Sequence, residues 1–149
     1  MIKALFHITR PGYRPGEIRE RSYGQALITD GFDLSNDANG EFSREAIRRE
    51  HYPGKPCRLN SSFAFESEQA AREYKRLMRR DSEAIYMVRF VDNTEPIHRV
   101  FWGLWKDDLA GPMRTATAHE FWRSTGPDHS DAVEVFAETD LEILDVLSA

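Results

Sequence analysis

Intrachain disulfides are excluded in this chain, because its 149 residues include a single cysteine, Cys57. A lone thiol fits a reducing compartment. Long apolar runs are also missing: no stretch approaches the roughly 20 residues that a membrane-spanning helix needs. The opening MIKALFHITR has too short an apolar run for a secretory signal, and no small-residue cleavage site follows it. A basic excess is absent, since 20 Lys and Arg face 25 Asp and Glu for a net charge of −5. The whole-chain electrostatic footprint of a nucleic-acid binder is therefore lacking. There is no internal repeat and no low-complexity tract. Phosphate-loop, dinucleotide-fold, zinc-peptidase, paired-cysteine and serine-elbow motifs are absent. The five histidines, His7, His51, His98, His119 and His129, show no metal-ligand spacing. A soluble, cytoplasmic protein with no membrane partner and no metal is expected.

What is present is globular. Hydrophobic residues make up 40% and charged residues 30%, and the length suits one domain, residues 1–149, with a core of its own. Ile2 to Thr9 alternates as a strand, and the Pro-Gly-rich stretch from Arg10 to Gly16 breaks it. Residues 23–40 read as a long connection with a short element near 25–28. Ser43 to Glu50 reads as a helix capped by Ser43, with Ala46 and Ile47 buried. Arg58 to Phe65 reads as extended. Ser67 caps a second helix that runs to about Arg80, with Ala70, Tyr74, Leu77 and Met78 on one face. Glu83 to Val91, apolar on both faces, and Ile97 to Trp105 read as strands. Residues 107–131 read as loop with a helical stretch near 118–122. Ala132 to Glu138 and Leu141 to Leu147 read as strands joined in a hairpin by Thr139 and Asp140. Strand, helix, strand, helix and then a run of strands implies α+β with a largely antiparallel sheet and flanking helices.

Three segments carry the polar residues of interest: Leu5-Phe6-His7-Ile8-Thr9, Arg58-Leu59-Asn60-Ser61-Ser62-Phe63-Ala64-Phe65 with Tyr74 in the helix after it, and Val133-Glu134-Val135-Phe136. In order and spacing this layout resembles small bacterial ADP-ribosyltransferase-like domains. These open with a strand bearing a histidine, continue through hydroxyl residues before an aromatic and a helix, and close on a strand with one glutamate among apolar residues. Phe63-Ala64, Ser67, Ala71 and Tyr74 resemble the F-A, S, A, Y segment of the poly-ADP-ribosyl branch, one residue longer. Val133 to Phe136 resembles the closing strand of the DNA-targeting branch. The run from Pro56 is similar to a P-x-R-L-x-S-F pattern of small bacterial proteins.

The resemblance implies a split, largely antiparallel sheet with NAD as substrate, nicotinamide as leaving group and ADP-ribose passed to an unidentified acceptor. Nucleic acid is one acceptor it allows. NAD cleavage passes through an oxocarbenium-like state, which a carboxylate stabilises; Glu134 is the catalytic candidate. The resemblance assigns NAD binding to His7 and Thr9 at a ribose, Tyr74 against the nicotinamide ring, Ser61 or Ser62 ordering the glutamate or the amide, and Arg58 at the pyrophosphate. His7 and Glu134 are expected on neighbouring strands facing a cleft between two small sheets. Ala132 stands where arginine-modifying relatives carry a second acid or Gln, which argues against arginine as acceptor.

Three other classes fit the same residues. One is a catalytically inactive nucleotide- or partner-binding module. Another is a phosphate-removing transferase acting on RNA, which calls for several arginines and a histidine in the cleft. The third is an interaction module with Trp102, Trp105 and Trp122 as an exposed patch. The basic stripe Arg72, Lys75, Arg76, Arg79 and Arg80 reads as a solvated helix face, with a contact for a phosphate-bearing substrate as the alternative.

Overall fold

The computed structural model describes residues 4–25, 40–105, 109, 111–126 and 132–148. Asp128, His129 and Asp131, the weak metal candidates, lie outside the described residues, as does most of the short element expected near 25–28. The chain runs β1 (Leu5–Thr9), β2 (Ile18–Arg19), α1 (Glu41–His51), a 3-10 turn (Arg58–Asn60), β3 (Ser62–Phe65), α2 (Glu68–Leu77), β4 (Ala84–Phe90), β5 (Ile97–Phe101), α3 (Gly111–Arg123), β6 (Val133–Ala137) and β7 (Leu141–Ser148). The strands form one sheet in the order β2-β7-β4-β1-β3-β6-β5, and each pair of neighbours is antiparallel. The fold is α+β with an antiparallel sheet. Among the described residues, no helix is long and apolar enough to cross a membrane.

The sheet has a seam. β1 pairs with β4 from Leu5 through Thr9, and β3 pairs with β6 from Ser62 through Phe65. β1 and β3 themselves meet in one register pair, Phe6 with Phe65. Past that bridge, toward Thr9 and Ser62, the backbone ladder is not continued. The His7 side chain reaches across instead, and its Nδ1 lies 2.7 Å from the Phe63 carbonyl oxygen. The cleft expected between two sheets is thus an opening within one.

Side-chain alternation sorts the core. Leu5, Ala64, Tyr86, Val88, Val135, Leu141 and Ile143 cluster on one face. The other face carries the helices: Ile8, Phe65 and Ile85 pack with Ala70 and Ala71 of α2, and Val100 and Phe136 pack with Phe121 and Trp122 of α3. Paired residues on antiparallel strands share a face. Glu134, partnered with Phe65 and Val100, therefore points to the helical side. Trp122 is completely buried, and its indole Nε1 donates to the Arg44 carbonyl at 3.0 Å, tying α3 to α1.

Several expectations fail for physical reasons. β6 and β7 form no hairpin. The Val91 N–H donates to the Asp140 carbonyl and the Asp92 N–H to the Thr139 hydroxyl, so the link is bound to the end of β4 and β7 joins β4 instead. α1 begins at Glu41 behind Gly40 rather than at a Ser43 cap. Its buried residues are Glu41, Arg44 and Glu45; Ala46 is exposed. On α2, Ser67 does cap, accepting from the Ala70 N–H at 3.0 Å. Ala70 and Ala71 are its buried residues, however, while Leu77 and Met78 are 47% and 49% exposed. The helical stretch expected near 118–122 is present but longer, as the 13-residue α3. With Trp122 in the core and Trp102 and Trp105 half-buried, there is no exposed tryptophan patch.

Candidate functional site

A cavity of about 620 Å³ lies at the seam, within the range of small-molecule sites. His7, Thr9, Arg58, Ser61, Ser62, Tyr74 and Glu134 all line it. The fold thus brings together residues from β1, the 3-10 turn, β3, α2 and β6. His7 and Glu134 do not sit on neighbouring strands, because β3 runs between β1 and β6.

Glu134 is held by Arg58, whose Nη1 donates to Oε1 at 3.3 Å. The same guanidinium donates from Nε to both Glu41 oxygens, at 3.0 and 3.1 Å. Glu41 also accepts from Arg44 Nη2 at 2.6 Å and from the Tyr23 hydroxyl at 3.1 Å. Two glutamates and two arginines thus form a net-neutral network in which the Glu41 side chain is 4% and the Glu134 side chain 16% exposed. Aromatic faces wall it in: Arg58 lies 4.7 Å from the Phe63 ring centroid and Arg44 lies 4.3 Å from that of Trp105. The Arg44 Nε is buried without a hydrogen-bond partner.

The two carboxylates respond oppositely to this setting. Burial raises the pKa of Glu41, but Arg58 and Arg44 outweigh it and the net shift is downward. Burial also raises the pKa of Glu134, and Arg58 recovers only part of the cost, so the net shift is upward. Burial works against the Arg58 charge, yet Glu41 and Glu134 together raise its pKa. Burial and the Arg58 charge bring Arg44 down to about 10. Glu134 and Arg44 are thus both shifted toward their neutral forms, and Glu41 and Arg58 toward their charged forms.

At the other wall, burial lowers the His7 pKa to about 4, so the imidazole is neutral. A carbonyl can only accept, so Nδ1–H donates to Phe63 and Nε2 keeps its lone pair; Nε2 is buried and has no partner. Tyr74, 5.0 Å from the Phe65 ring and edge-on to Trp102 at 5.7 Å, lines the cavity with His7 and Glu134. Its phenol pKa is raised by burial and then by the Glu134 charge. The Ser61 hydroxyl donates to the Cys57 carbonyl at 2.6 Å. Orientation of Glu134 is supplied by Arg58.

Four residues that matter here escape a reading based on family-like segments: Tyr23, Glu41, Arg44 and Arg19, all lining the cavity. The signal for two of them is present in Glu41, Arg44, Glu45 and Arg48, opposite charges at helical i, i+3 and i+4 spacing. Among the described residues, no group of three or more His, Cys, Asp or Glu is placed to hold a metal ion. No family model matches the chain, and no curated protein matches it.

Proposed function

We propose that the chain is an NAD-consuming ADP-ribosyltransferase, with Glu134 as the catalytic carboxylate. The observation that supports this most is the setting of Glu134. It is the acid on an interior strand that lines the seam cavity, with one arginine fixing its orientation and an aromatic ring whose phenol feels its charge. In this reading nicotinamide stacks near Tyr74. The C1′–N bond breaks with its electron pair passing to the ring nitrogen. Positive charge grows on the ribose beside Glu134, and the acceptor's nucleophilic atom closes on C1′ as it loses its proton. Preorganised negative charge at that point lowers the barrier without reorganisation. The His7 Nε2 lone pair suits a ribose hydroxyl, a donor, better than a phosphate oxygen. Arg58, bound to two carboxylates, positions Glu134 rather than meeting the pyrophosphate.

The deciding experiment is nicotinamide release from NAD by wild type and Glu134→Gln, with NAD affinity measured for each. A loss of about 10²–10³ in rate with affinity retained is expected. Equal turnover by the variant removes Glu134 from the role. NAD binding without nicotinamide release by wild type, in the presence of whole-cell lysate, establishes the inactive nucleotide-binding module instead. A second reading, a phosphate-removing transferase on RNA, is favoured by one observation: the cavity holds His7 together with Arg19, Arg44, Arg58 and Arg80. Phosphorylated RNA as acceptor separates the two.

A further inference from the structure

Outside the seam cavity, two histidines far apart in sequence meet where α1 and α3 pack together. His51 ends α1 and His119 lies within α3; neither lines the cavity. Their ring centroids are 5.0 Å apart, with the ring planes at 60° to one another. Tyr52 fixes one member of the pair. Its ring packs against the core cluster of Phe121, Trp122 and Phe136, and its hydroxyl lies 2.9 Å from His119 Nδ1. Nε2 is therefore the nitrogen of His119 that Tyr52 leaves open. His51 is 48% exposed, so its ring can turn. Its Nε2 stands 3.7 Å from a carboxylate oxygen of the exposed Glu50.

We propose that His51 and His119 form a binding site for a divalent transition-metal ion of the Ni²⁺ or Zn²⁺ type, with Tyr52 orienting His119. The spacing of the rings is the first ground. An ion about 2.1 Å from an imidazole nitrogen lies about 3.2 Å from that ring's centroid, so two imidazoles that share it at a right or a tetrahedral angle hold their centroids about 4.5–5.2 Å apart. The 5.0 Å separation falls inside that interval, and ring rotation is the only adjustment the site needs. The second ground is the tautomer. A ligating histidine donates its other ring N–H to a fixed acceptor. The Tyr52 oxygen is placed to accept from Nδ1–H, and Nε2 then presents its lone pair to the ion. The third is charge: the Glu50 carboxylate beside His51 offsets part of the positive charge that an ion brings. Among the described residues, no third His, Cys, Asp or Glu joins the pair in a ligand geometry, so water completes the coordination and the ion exchanges. Imidazole suits Zn, Ni and Cu, whereas Mg²⁺ takes oxygen ligands. The bound ion ties the end of α1 to α3, helices that the Trp122 bond to the Arg44 carbonyl also joins. It acts on stability, and it is independent of the NAD reading.

The test is calorimetric titration of the full chain with Ni²⁺, Zn²⁺ and Mg²⁺, for wild type, His51→Gln, His119→Gln and Tyr52→Phe, with thermal melting alongside. Ni²⁺ at a hundredfold excess over its Kd should raise the melting temperature of wild type by roughly 5–10 °C. Tyr52→Phe, which keeps the ring and removes the acceptor, should weaken Ni²⁺ by about 10–100-fold, and loss of either histidine should weaken it at least as much. Mg²⁺ should have no effect. Melting curves without metal establish that each variant is folded; if His119→Gln or Tyr52→Phe unfolds the chain, His51→Gln, at an exposed position, decides alone. No Ni²⁺ or Zn²⁺ binding by wild type overturns the site. So does Ni²⁺ affinity unchanged in His51→Gln, or an equal response to Mg²⁺, which assigns the ion to carboxylates. Loss in both histidine variants with Tyr52→Phe binding as wild type upholds the site and removes the orienting role of Tyr52.

Discussion

Arg58→Met is the perturbation that tests the buried network most directly. The substitution retains much of the length and apolar volume of the side chain but removes its charge and all three of its hydrogen bonds to carboxylate oxygens. Glu41 still has Arg44 and Tyr23; Glu134 loses the partner that offsets its desolvation. At neutral pH the cluster then holds two buried carboxylates and one cation. Breaking a buried pair by deleting one partner costs about 3–5 kcal/mol. For a chain of this size, 1 kcal/mol corresponds to roughly 2–4 °C, so thermal unfolding should begin roughly 6–20 °C earlier. The deficit should depend on pH in a defined direction. Without Arg58 the folded-state pKa of both carboxyls rises, and a raised folded pKa costs stability as pH increases through it. The gap between variant and wild type should therefore be wider at pH 8 than at pH 5. Adding Glu134→Gln to Arg58→Met should restore a large part of the loss, since the orphaned charge is gone. A single variant that melts within 1–2 °C of wild type at pH 7, a difference of about half a kcal/mol, would falsify the description of Arg58 as the centre of a closed ion-pair network.

Two further outcomes can be measured. Burial lowers His98, as well as His7, to about 4. Stability is then complete above the unfolded pKa of about 6.5 and declines as pH falls toward 4, by about 2 kcal/mol per histidine at pH 5. Urea titrations at pH 7.5 and pH 5 should show the decline, and His98→Gln, whose amide can still donate to the Phe121 carbonyl that His98 Nε2 contacts at 2.7 Å, should flatten it; an identical slope in the variant refutes the assignment. Gly40 has φ of +72°, and a Cβ there would lie 2.2 Å from Trp105. Gly40→Ala should cost about 1–3 kcal/mol in chemical denaturation, and a neutral effect would mean that Trp105 does not pack against the start of α1.

The parts of the fold that local chemistry determines were legible. The strand at β4 is apolar on both faces because each face is covered, Tyr86, Val88 and Phe90 packing in one core cluster and Ile85 in the other, and the Ser67 cap of α2 is a short-range hydrogen bond. The hairpin between β6 and β7 failed because strand partners are chosen over long sequence distances. Thr139 and Asp140 can turn a chain, but here they bind Asp92 and Val91 instead. α1 was misread for a related reason. An amphipathic helix is recognised by its apolar stripe, and this one buries Glu41, Arg44 and Glu45. Those charges are tolerated because each meets an opposite charge from the same helix or from the 3-10 turn. The individual segments pointed to Glu134, His7 and Tyr74. No local pattern linked Arg58 to Glu134, whose contact spans 76 residues of sequence.

The opposite shifts of Glu41 and Glu134 give the two carboxylates of one network opposite effects on stability. Glu41 is lowered, so its charge contributes stability that is present above its unfolded pKa and lost as pH falls. Glu134 is raised, so its charge is a liability at neutral pH, offset in part by Arg58. A neutral isostere at each position therefore acts with opposite sign. Glu41→Gln should destabilise, because Glu41 is the carboxylate that accepts from both arginines and Arg44 has no bond to Glu134 to fall back on, at a cost of about 3–5 kcal/mol for an opened buried pair. Glu134→Gln keeps the volume and an acceptor oxygen for Arg58 and removes the desolvated charge, so its melting temperature should equal or exceed that of wild type by a few degrees. A carboxylate kept at a thermodynamic disadvantage is the expected condition of a group retained for chemistry, since sites built for reaction are held in place by the rest of the fold. Scanning calorimetry of the two variants at pH 7 decides the point. If Glu134→Gln is destabilised as strongly as Glu41→Gln, then Glu134 is a structural ion-pair partner, and its upward shift says nothing about catalysis.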